Sequence, residues 1–484
     1  MTSSRRRVGL LLIGRAGQRV HPETSFAGAE DPREARQPMK QLLQNVSTGE
    51  ITIEDVPAPT RDAASLLVAT RYSLISAGTE RAVLEIGRAS LVGKARARPD
   101  LARKVIESAR TEGIGPTYAK VRGRLDEPNP LGYSLAGVVI EACDDSPAAP
   151  GELVACAGAG RASHAELVSV PRTLCARVPE GVPAEDAAYA TVATIALHGF
   201  RLAEAGLGDV VAVVGLGLVG QLAVDLAAAA GCVVLGCDPD ARRVELAREA
   251  GVFATSDPSD LEAEALRLTG GRGADAVLIT AASRSSEPLQ TATAVARERA
   301  VVVIVGDVSV ESPRAPLFAK ELKLVVSRSY GPGRYDPVYE DRGIDYPSGY
   351  VRWTEGRNLE EVLRLMASGA LRPSRLTTHV FDLADGVNAY RQLDSEAPSL
   401  GILLRYPGIE TSNGRVVALK AKPSLRPRLA VGRTVRIGVV GAGTFARSVR
   451  MPQLARAETP VAVATAEILP RRASWGISTL RANV

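Results

Sequence analysis

Val210-Val211-Ala212-Val213-Val214-Gly215-Leu216-Gly217-Leu218-Val219-Gly220 is the stretch that decides how this chain reads. Five apolar residues without polar alternation predict a parallel-sheet strand covered on both faces. The G-x-G-x-x-G spacing that follows allows a tight turn, close backbone approach to a pyrophosphate, and tight helix–strand packing. Gln221 to Ala230 should form the helix, whose unpaired N–H groups and positive dipole end face that phosphate. Gly215, Gly217, Leu218, Val219 and Gly220 are therefore the expected phosphate-binding residues.

A second apolar segment, Cys232 to Cys237, ends on Asp238, about twenty residues beyond the glycines, where an acid accepts hydrogen bonds from an adenosine ribose. A lone glycine fingerprint is a weak signal. Strand, glycines, helix, strand and terminal acid in order are a stronger one. The acid favours NAD over NADP, because it repels a 2′-phosphate; the nearby Arg242 and Arg243 weaken that preference, so NADP is not excluded. Arg243 has two readings, a partner at the ribose edge or a solvated helix residue.

At 484 residues the chain should hold two or three domains. Its 59 basic against 54 acidic residues give +5, too small and scattered an excess for a nucleic-acid footprint. The tight run Arg5-Arg6-Arg7 reads as a solvated arm. Five cysteines without C-x-x-C spacing suggest free thiols in a reducing compartment. No apolar run is long enough to span a bilayer. A cytoplasmic protein is expected, with a small-molecule substrate as partner, no nucleic acid and no membrane; a homo-oligomer is left open.

Along the chain, residues 1–38 read as a disordered or wrongly assigned extension, with Met39 as an alternative start. Residues 39–178 show short strands broken by Gly and Pro, which predicts a β-rich, partly barrel-like domain with a polar insertion from Ala89 to Asp126. Strands and helices alternate over 179–326, the pattern of a parallel sheet. Residues 327–406 return to the mixed texture, and 407–433 read as a linker. At Val435-Arg436-Ile437-Gly438-Val439-Val440-Gly441-Ala442-Gly443 a second strand and glycine turn begin. Only 50 residues remain counting from Val435, so the unit at 434–484 is expected to be incomplete and without nucleotide. The fold class is thus α/β.

This organisation resembles the medium-chain dehydrogenase/reductase family, which includes zinc-type alcohol dehydrogenases, over about residues 39–406. Leu131-Gly132-Tyr133-Ser134-Leu135-Ala136-Gly137-Val138-Val139 stands in place of that family's G-H-E-x-x-G-x-V segment, and Ser76-Ala77-Gly78-Thr79-Glu80 looks like its C-G-T-D segment. The resemblance implies a GroES-like barrel domain joined to a Rossmann domain, with Asp238 and Arg243 at the ribose. More specific strings resemble a bi-domain oxidoreductase group of polysaccharide biosynthesis, in which the dehydrogenase is fused to a Gfo/Idh/MocA-type domain. They are Met39 to Asn45, Leu74 to Glu80, Ser329-Tyr330-Gly331-Pro332-Gly333-Arg334-Tyr335-Asp336, Gly343 to Pro347, and Gly349 to Glu355. On this resemblance the fingerprint at Gly441 marks a truncated copy of the fused domain.

Zinc-type members hold their metal through Cys and His side chains, but the matching positions here are Ala77, Tyr133 and Ser134. These residue types cannot supply a thiolate and imidazole set, so no zinc is expected. Hydride transfer still needs a group to polarise the carbonyl and move a proton. Tyr133 carries a hydroxyl that can donate to a substrate oxygen, or is a packed core tyrosine. Glu80 can orient such a donor, or pair with an arginine. His164 is either a proton relay or a satisfied structural histidine, and His198 has the same two readings. Tyr330, Arg334, Tyr335 and Arg352 suit a polar substrate pocket, or form a structured returning loop. Cys232 and Cys237 belong to a predicted buried strand and take no part. The leading expectation is a metal-independent NAD(P)-dependent oxidoreductase acting on a hydroxyl or carbonyl, such as that of a sugar or nucleotide sugar. The alternative is a non-catalytic nucleotide-binding sensor or scaffold.

Overall fold

The computed structural model describes residues 38–78, scattered positions from 80 to 121, and residues 128–311, 314–395, 399–408, 435–440 and 461–466. The expected extension at 1–38 (save residue 38), most of the insertion at 89–126, the linker at 407–433 beyond residue 408 and most of 434–484 lie outside the described residues.

The first lobe contains β1 (Met39–Asn45), β2 (Ile51–Val56), β3 (Ser65–Ser76), β4 (Pro128–Pro130), β5 (Ser134–Glu141), β6 (Leu153–Ala157), β7 (Leu167–Pro171) and β8 (Cys175–Arg177). The second opens with α1 (Ala190–Leu202) and continues through β9 (Val210–Val214), α2 (Leu218–Ala229), β10 (Val233–Cys237), α3 (Ala241–Glu249), β11 (Phe253–Thr255), α4 (Pro258–Leu268), β12 (Ala274–Ile279), α5 (Glu287–Val295), β13 (Ala296–Ile304) and β14 (Lys323–Val326). The chain then returns to the first lobe with α6 (Glu355–Ala367), β15 (Thr377–Asp382), α7 (Gly386–Gln392) and β16 (Gly401–Arg405). Last come β17 (Val435–Val440) and β18 (Val461–Ala466), which pair in parallel.

In the second lobe six parallel strands run in the order β11-β10-β9-β12-β13-β14. Counted within the lobe this is 3-2-1-4-5-6, the doubly wound order whose crevice lies beyond the carboxyl ends of the first and fourth strands. Alternate residues of a strand face opposite sides of its sheet. Val211 and Val213 accordingly join one core with Ala193, Leu222 and Leu226, while Val210, Ala212 and Val214 join another with Leu261, Ala265 and Leu289. Both faces are covered, which is why the strand carries no polar residue. Each valine enclosed this way stabilises the fold by roughly 1.5–3 kcal/mol.

The first lobe is built on two sheets rather than one closed ring. One has the order β15-β16-β3-β5-β6-β8, with β7 also on β3; the other is β2-β1-β4, and a bridge from Gln41 to Ala165 links them. The pairing of β16 with β3, Gly401 opposite Ser76, closes the returning segment onto the lobe. Arg375 ties the lobes together: it donates to Asp225 of α2 at 2.7 Å and to the Gln221 side chain at 3.4 Å. Among the described residues no helix is long and apolar enough to cross a membrane.

Candidate active site

A cleft of about 1330 Å³ lies between the lobes. Its floor on the nucleotide side is the turn after β9, and three glycines there have three different reasons. Gly215 adopts φ 97°, and a Cβ on it would stand 2.5 Å from the Ala281 nitrogen. Gly220 faces the turn, where a Cβ would stand 2.0 Å from the Gly215 carbonyl oxygen. Gly217 has nothing within 4 Å of its would-be Cβ and borders the cleft. The open face at Gly217, at the N-cap of α2, is the space that fits a pyrophosphate.

Asp238 at the end of β10 is buried and held rigidly. Its carboxylate accepts from the Leu216 amide at 2.7 Å and from the Asp240 amide at 2.9 Å, with Arg243 Nη1 at 3.4 Å. Gly215, Gly217, Leu218, Val219, Asp238 and Arg243 border the cleft together, whereas Gly220 lies just behind it as packing. Two residues the sequence reading missed complete the turn. The Gln221 amide spans from Leu216 O at 3.2 Å to Arg243 O at 2.8 Å, and the Thr280 hydroxyl donates to Gly215 O. Gln221 is a polar residue in an otherwise apolar helix start, and that was the available signal. These features fit a nicotinamide dinucleotide: an open glycine face for phosphate and a fixed acid for a ribose.

The opposite wall comes from β3 and β5. Their antiparallel register, Ser73 opposite Leu135, brings the end of one strand beside the start of the other. Ala77 and Tyr133 therefore meet at the cleft, with Ser76 and Arg81. Ser134 is turned away, and its hydroxyl donates to Ala188 O at 2.6 Å. A methyl group, a phenol and an engaged hydroxyl do not fit a zinc ion. Among the described residues no group of three His, Cys, Asp or Glu side chains stands where it could hold a metal.

His164 and Glu80 come together, but in the protein interior and not on the cleft lining. His164 is fully buried, its Nδ1 at 2.7 Å from Ser73 Oγ and its Nε2 at 3.4 Å from Glu80 Oε1. Ser73 Oγ in turn meets Tyr406 Oη at 2.8 Å, and the Tyr390 hydroxyl donates to Glu80. Glu80 thus engages a tyrosine and a histidine. The His164 ring presses on Gly132, where a Cβ would stand 2.7 Å away, and the His164 amide donates to Leu131 O at 2.8 Å. The network therefore bears on the turn that carries Tyr133.

Ser329, Tyr330, Arg334 and Tyr335 border the cleft from the returning loop. Arg334 is paired with Glu340 and lies over the Tyr335 ring at 4.1 Å. Arg352 is not on the cleft lining and stacks on Trp353, with Arg201 on the same ring. His198 packs beside Gly331, and burial, then the charge of Arg201, holds its pKa below the ordinary value. Cys232 and Cys237 are free thiols pushed up to about 11 by burial, which leaves little thiolate near neutrality.

A glycine-turn nucleotide crevice facing a β-rich lobe defines the class of medium-chain dehydrogenases. The family model for zinc-binding dehydrogenases matches residues 219–341. D-guloside 3-dehydrogenase of Shigella flexneri is 31% identical over 284 residues, covering 56% of this chain and 75% of that protein. The chain belongs to the zinc-binding dehydrogenase family and is an oxidoreductase of the NAD(P)-dependent type. Two solved structures share its fold. Galactitol-1-phosphate dehydrogenase from Escherichia coli has a TM-score of 0.57 at 18% identity, covering 76% of this chain and 100% of that one. A zinc-binding dehydrogenase from Sinorhizobium meliloti 1021, bound to NADP, has 0.56 at 22%, with the same coverage.

Proposed function

We propose that this chain is a metal-independent dehydrogenase that uses NAD to interconvert a secondary hydroxyl and a carbonyl on a sugar or sugar derivative. The observation that carries the reading is the pairing, across one cleft, of the open Gly217 face with Tyr133, which stands where the family places a metal ligand. A bound nicotinamide supplies the hydride acceptor or donor. The protein's own residues do the rest. Amides at the start of α2 take the phosphates, and Asp238 takes the ribose hydroxyls with Arg243 beside it. Tyr133 donates a hydrogen bond to the substrate oxygen and favours the charge that develops there. Glu80 and His164 act on Tyr133 as positioning residues, through Gly132. Arg334, Tyr335 and Arg81 give the cleft the polar and aromatic surface that suits a polyhydroxylated substrate.

The acid at 238 supports NAD over NADP, although the Sinorhizobium relative of the same fold carries NADP. The name of the guloside relative supports a glycoside-like substrate. The parallel pair β17–β18 supports a second dinucleotide-type unit of the Gfo/Idh/MocA kind beginning at Val435. The test is turnover of NAD with a panel of sugars, glycosides and polyols, in the presence and absence of a chelator. Turnover that survives chelation supports the reading. Cofactor binding without turnover on any member of the panel favours a sensor or scaffold.

A further inference from the structure

Behind the cleft lies a narrow pocket whose lining includes Thr173, Thr191, Thr194, Tyr330 and Glu355. Tyr330 borders both spaces. Glu355 is 2% exposed, and neither of its carboxyl oxygens has a hydrogen-bond partner among the described residues. Tyr330 Oη and Arg334 Nε are buried and unpartnered in the same way. A buried carboxyl group without a partner is unusual, because water no longer solvates its charged form.

The backbone fixes this arrangement firmly. Thr354 caps α6 by accepting from the Arg357 amide, and the Glu355 amide donates to Pro332 O at 2.9 Å. The carboxyl group lies over Gly333, at φ 111°, where a Cβ would stand 3.1 Å from Oε1. Arg334, whose charge acts on Glu355, is paired with Glu340. From the returning loop the charged or ionisable groups around Glu355 are Arg334, Glu340, Tyr330, Tyr339 and Tyr346. From α1 the pocket receives Thr191 and Thr194. Burial first, then repulsion by Glu340, pushes the Glu355 carboxyl up to about 9 against the opposing pull of Arg334. Burial likewise raises the Tyr330 hydroxyl.

We propose that the protonated Glu355 carboxyl and the Tyr330 hydroxyl form an internal proton store that opens onto the cleft through Tyr330. The inference rests on the dehydrogenase reading given above. In the reduction direction the carbonyl carbon gains the hydride and its oxygen gains the electron pair of the broken π bond. That oxygen takes the proton of the Tyr330 hydroxyl once the hydroxyl turns from its buried position toward the cleft. Turning back, Tyr330 meets the Glu355 carboxyl, with which it makes no hydrogen bond in the resting structure, and regains a proton from it; Glu355 is left as a carboxylate and is reprotonated from solvent after product leaves. In this scheme Tyr133 orients the oxygen and keeps its proton, while Glu355 acts only through Tyr330.

Infrared difference spectroscopy on the full chain tests the store without any substrate. A neutral carboxylic-acid band should be present at pH 7, lost in Glu355→Gln, and titrate well above the ordinary carboxylate range. Absence of that band, or its survival in Glu355→Gln, overturns the proposal. With a substrate in hand, Glu355→Gln and Tyr330→Phe should each slow reduction on the order of 100-fold at neutral pH, with NADH affinity unchanged. The double variant should be no slower than either alone, and the alkaline fall in rate should flatten. A full rate with an unaltered pH profile in Glu355→Gln overturns the link to catalysis. Failure to find any substrate counts against the dehydrogenase reading, while the infrared result still decides the charge state of Glu355.

Discussion

The Leu216 amide donates to the Asp238 carboxylate at 2.7 Å, so the turn that faces the phosphates and the acid that faces the ribose are one rigid unit. Asp238→Ala should therefore act twice. It leaves a buried amide unpaired, at a cost of about 1–3 kcal/mol in stability, and it removes the ribose acceptor. NADH affinity should fall about tenfold or more, a loss of at least ~1.4 kcal/mol, while NADPH affinity falls less. Denaturant unfolding and nucleotide titration read the two effects separately.

Gly217→Ala and Gly220→Ala should separate binding from folding. At 220 the added methyl meets the Gly215 carbonyl oxygen at 2.0 Å, so the turn must move and the protein should melt lower. At 217 it meets nothing within 4 Å, so Tm should hold while dinucleotide affinity drops. Thermal melts with and without NADH make the comparison.

Tyr133→Phe removes one hydroxyl from the cleft and no metal ligand. Turnover should fall about 10²–10³-fold, the scale for losing one donor to a developing oxyanion, with NADH affinity kept. Prolonged dialysis against a chelator should change nothing in the wild type, and metal analysis should find no stoichiometric zinc.

Removing Glu80 strands the Tyr390 hydroxyl and one nitrogen of His164 in the interior. Glu80→Ala should cost about 1–3 kcal/mol for each buried partner left unpaired. Because the His164 ring backs Gly132, the same variant should lower kcat more than it raises KM. Denaturant unfolding and steady-state kinetics on the surviving folded fraction check both parts.

Glu355 makes a pH-dependent prediction about stability. Its folded pKa of about 9 lies above its ordinary value of 4.5, so the folded chain holds a proton that the unfolded chain releases. The stabilisation is full below 4.5 and is lost as pH rises toward 9. Glu355→Gln, which cannot ionise, should match the wild type in Tm near pH 4.5 and melt increasingly higher than it up to pH 9.

The nucleotide lobe was legible because its signals are local. Val210 to Gly220 encodes a strand, a turn and a helix start within eleven residues, and Asp238 follows at fixed spacing. The helix begins at Leu218, three residues before the expected Gln221, because the glycine turn itself supplies the N-cap. The substrate wall was less legible, since it depends on contacts distant in sequence. His164 meets Ser73 and Glu80 across 91 and 84 positions, and no spacing rule places such partners. Glu355 closes a string quoted for the resemblance, Gly349 to Glu355, but nothing in that string marks it as a buried acid. Only the packing of Gly333 and Tyr330 around it reveals the buried acid.

The most direct measurement is a calorimetric titration of the full-length chain with NADH and with NADPH, repeated on Gly217→Ala. The expected result is one NADH site per chain, weaker binding of NADPH, and loss of both in a Gly217→Ala protein that melts like the wild type. No saturable binding of either nucleotide to the wild type, or undiminished binding to Gly217→Ala, would contradict the assignment of the cleft.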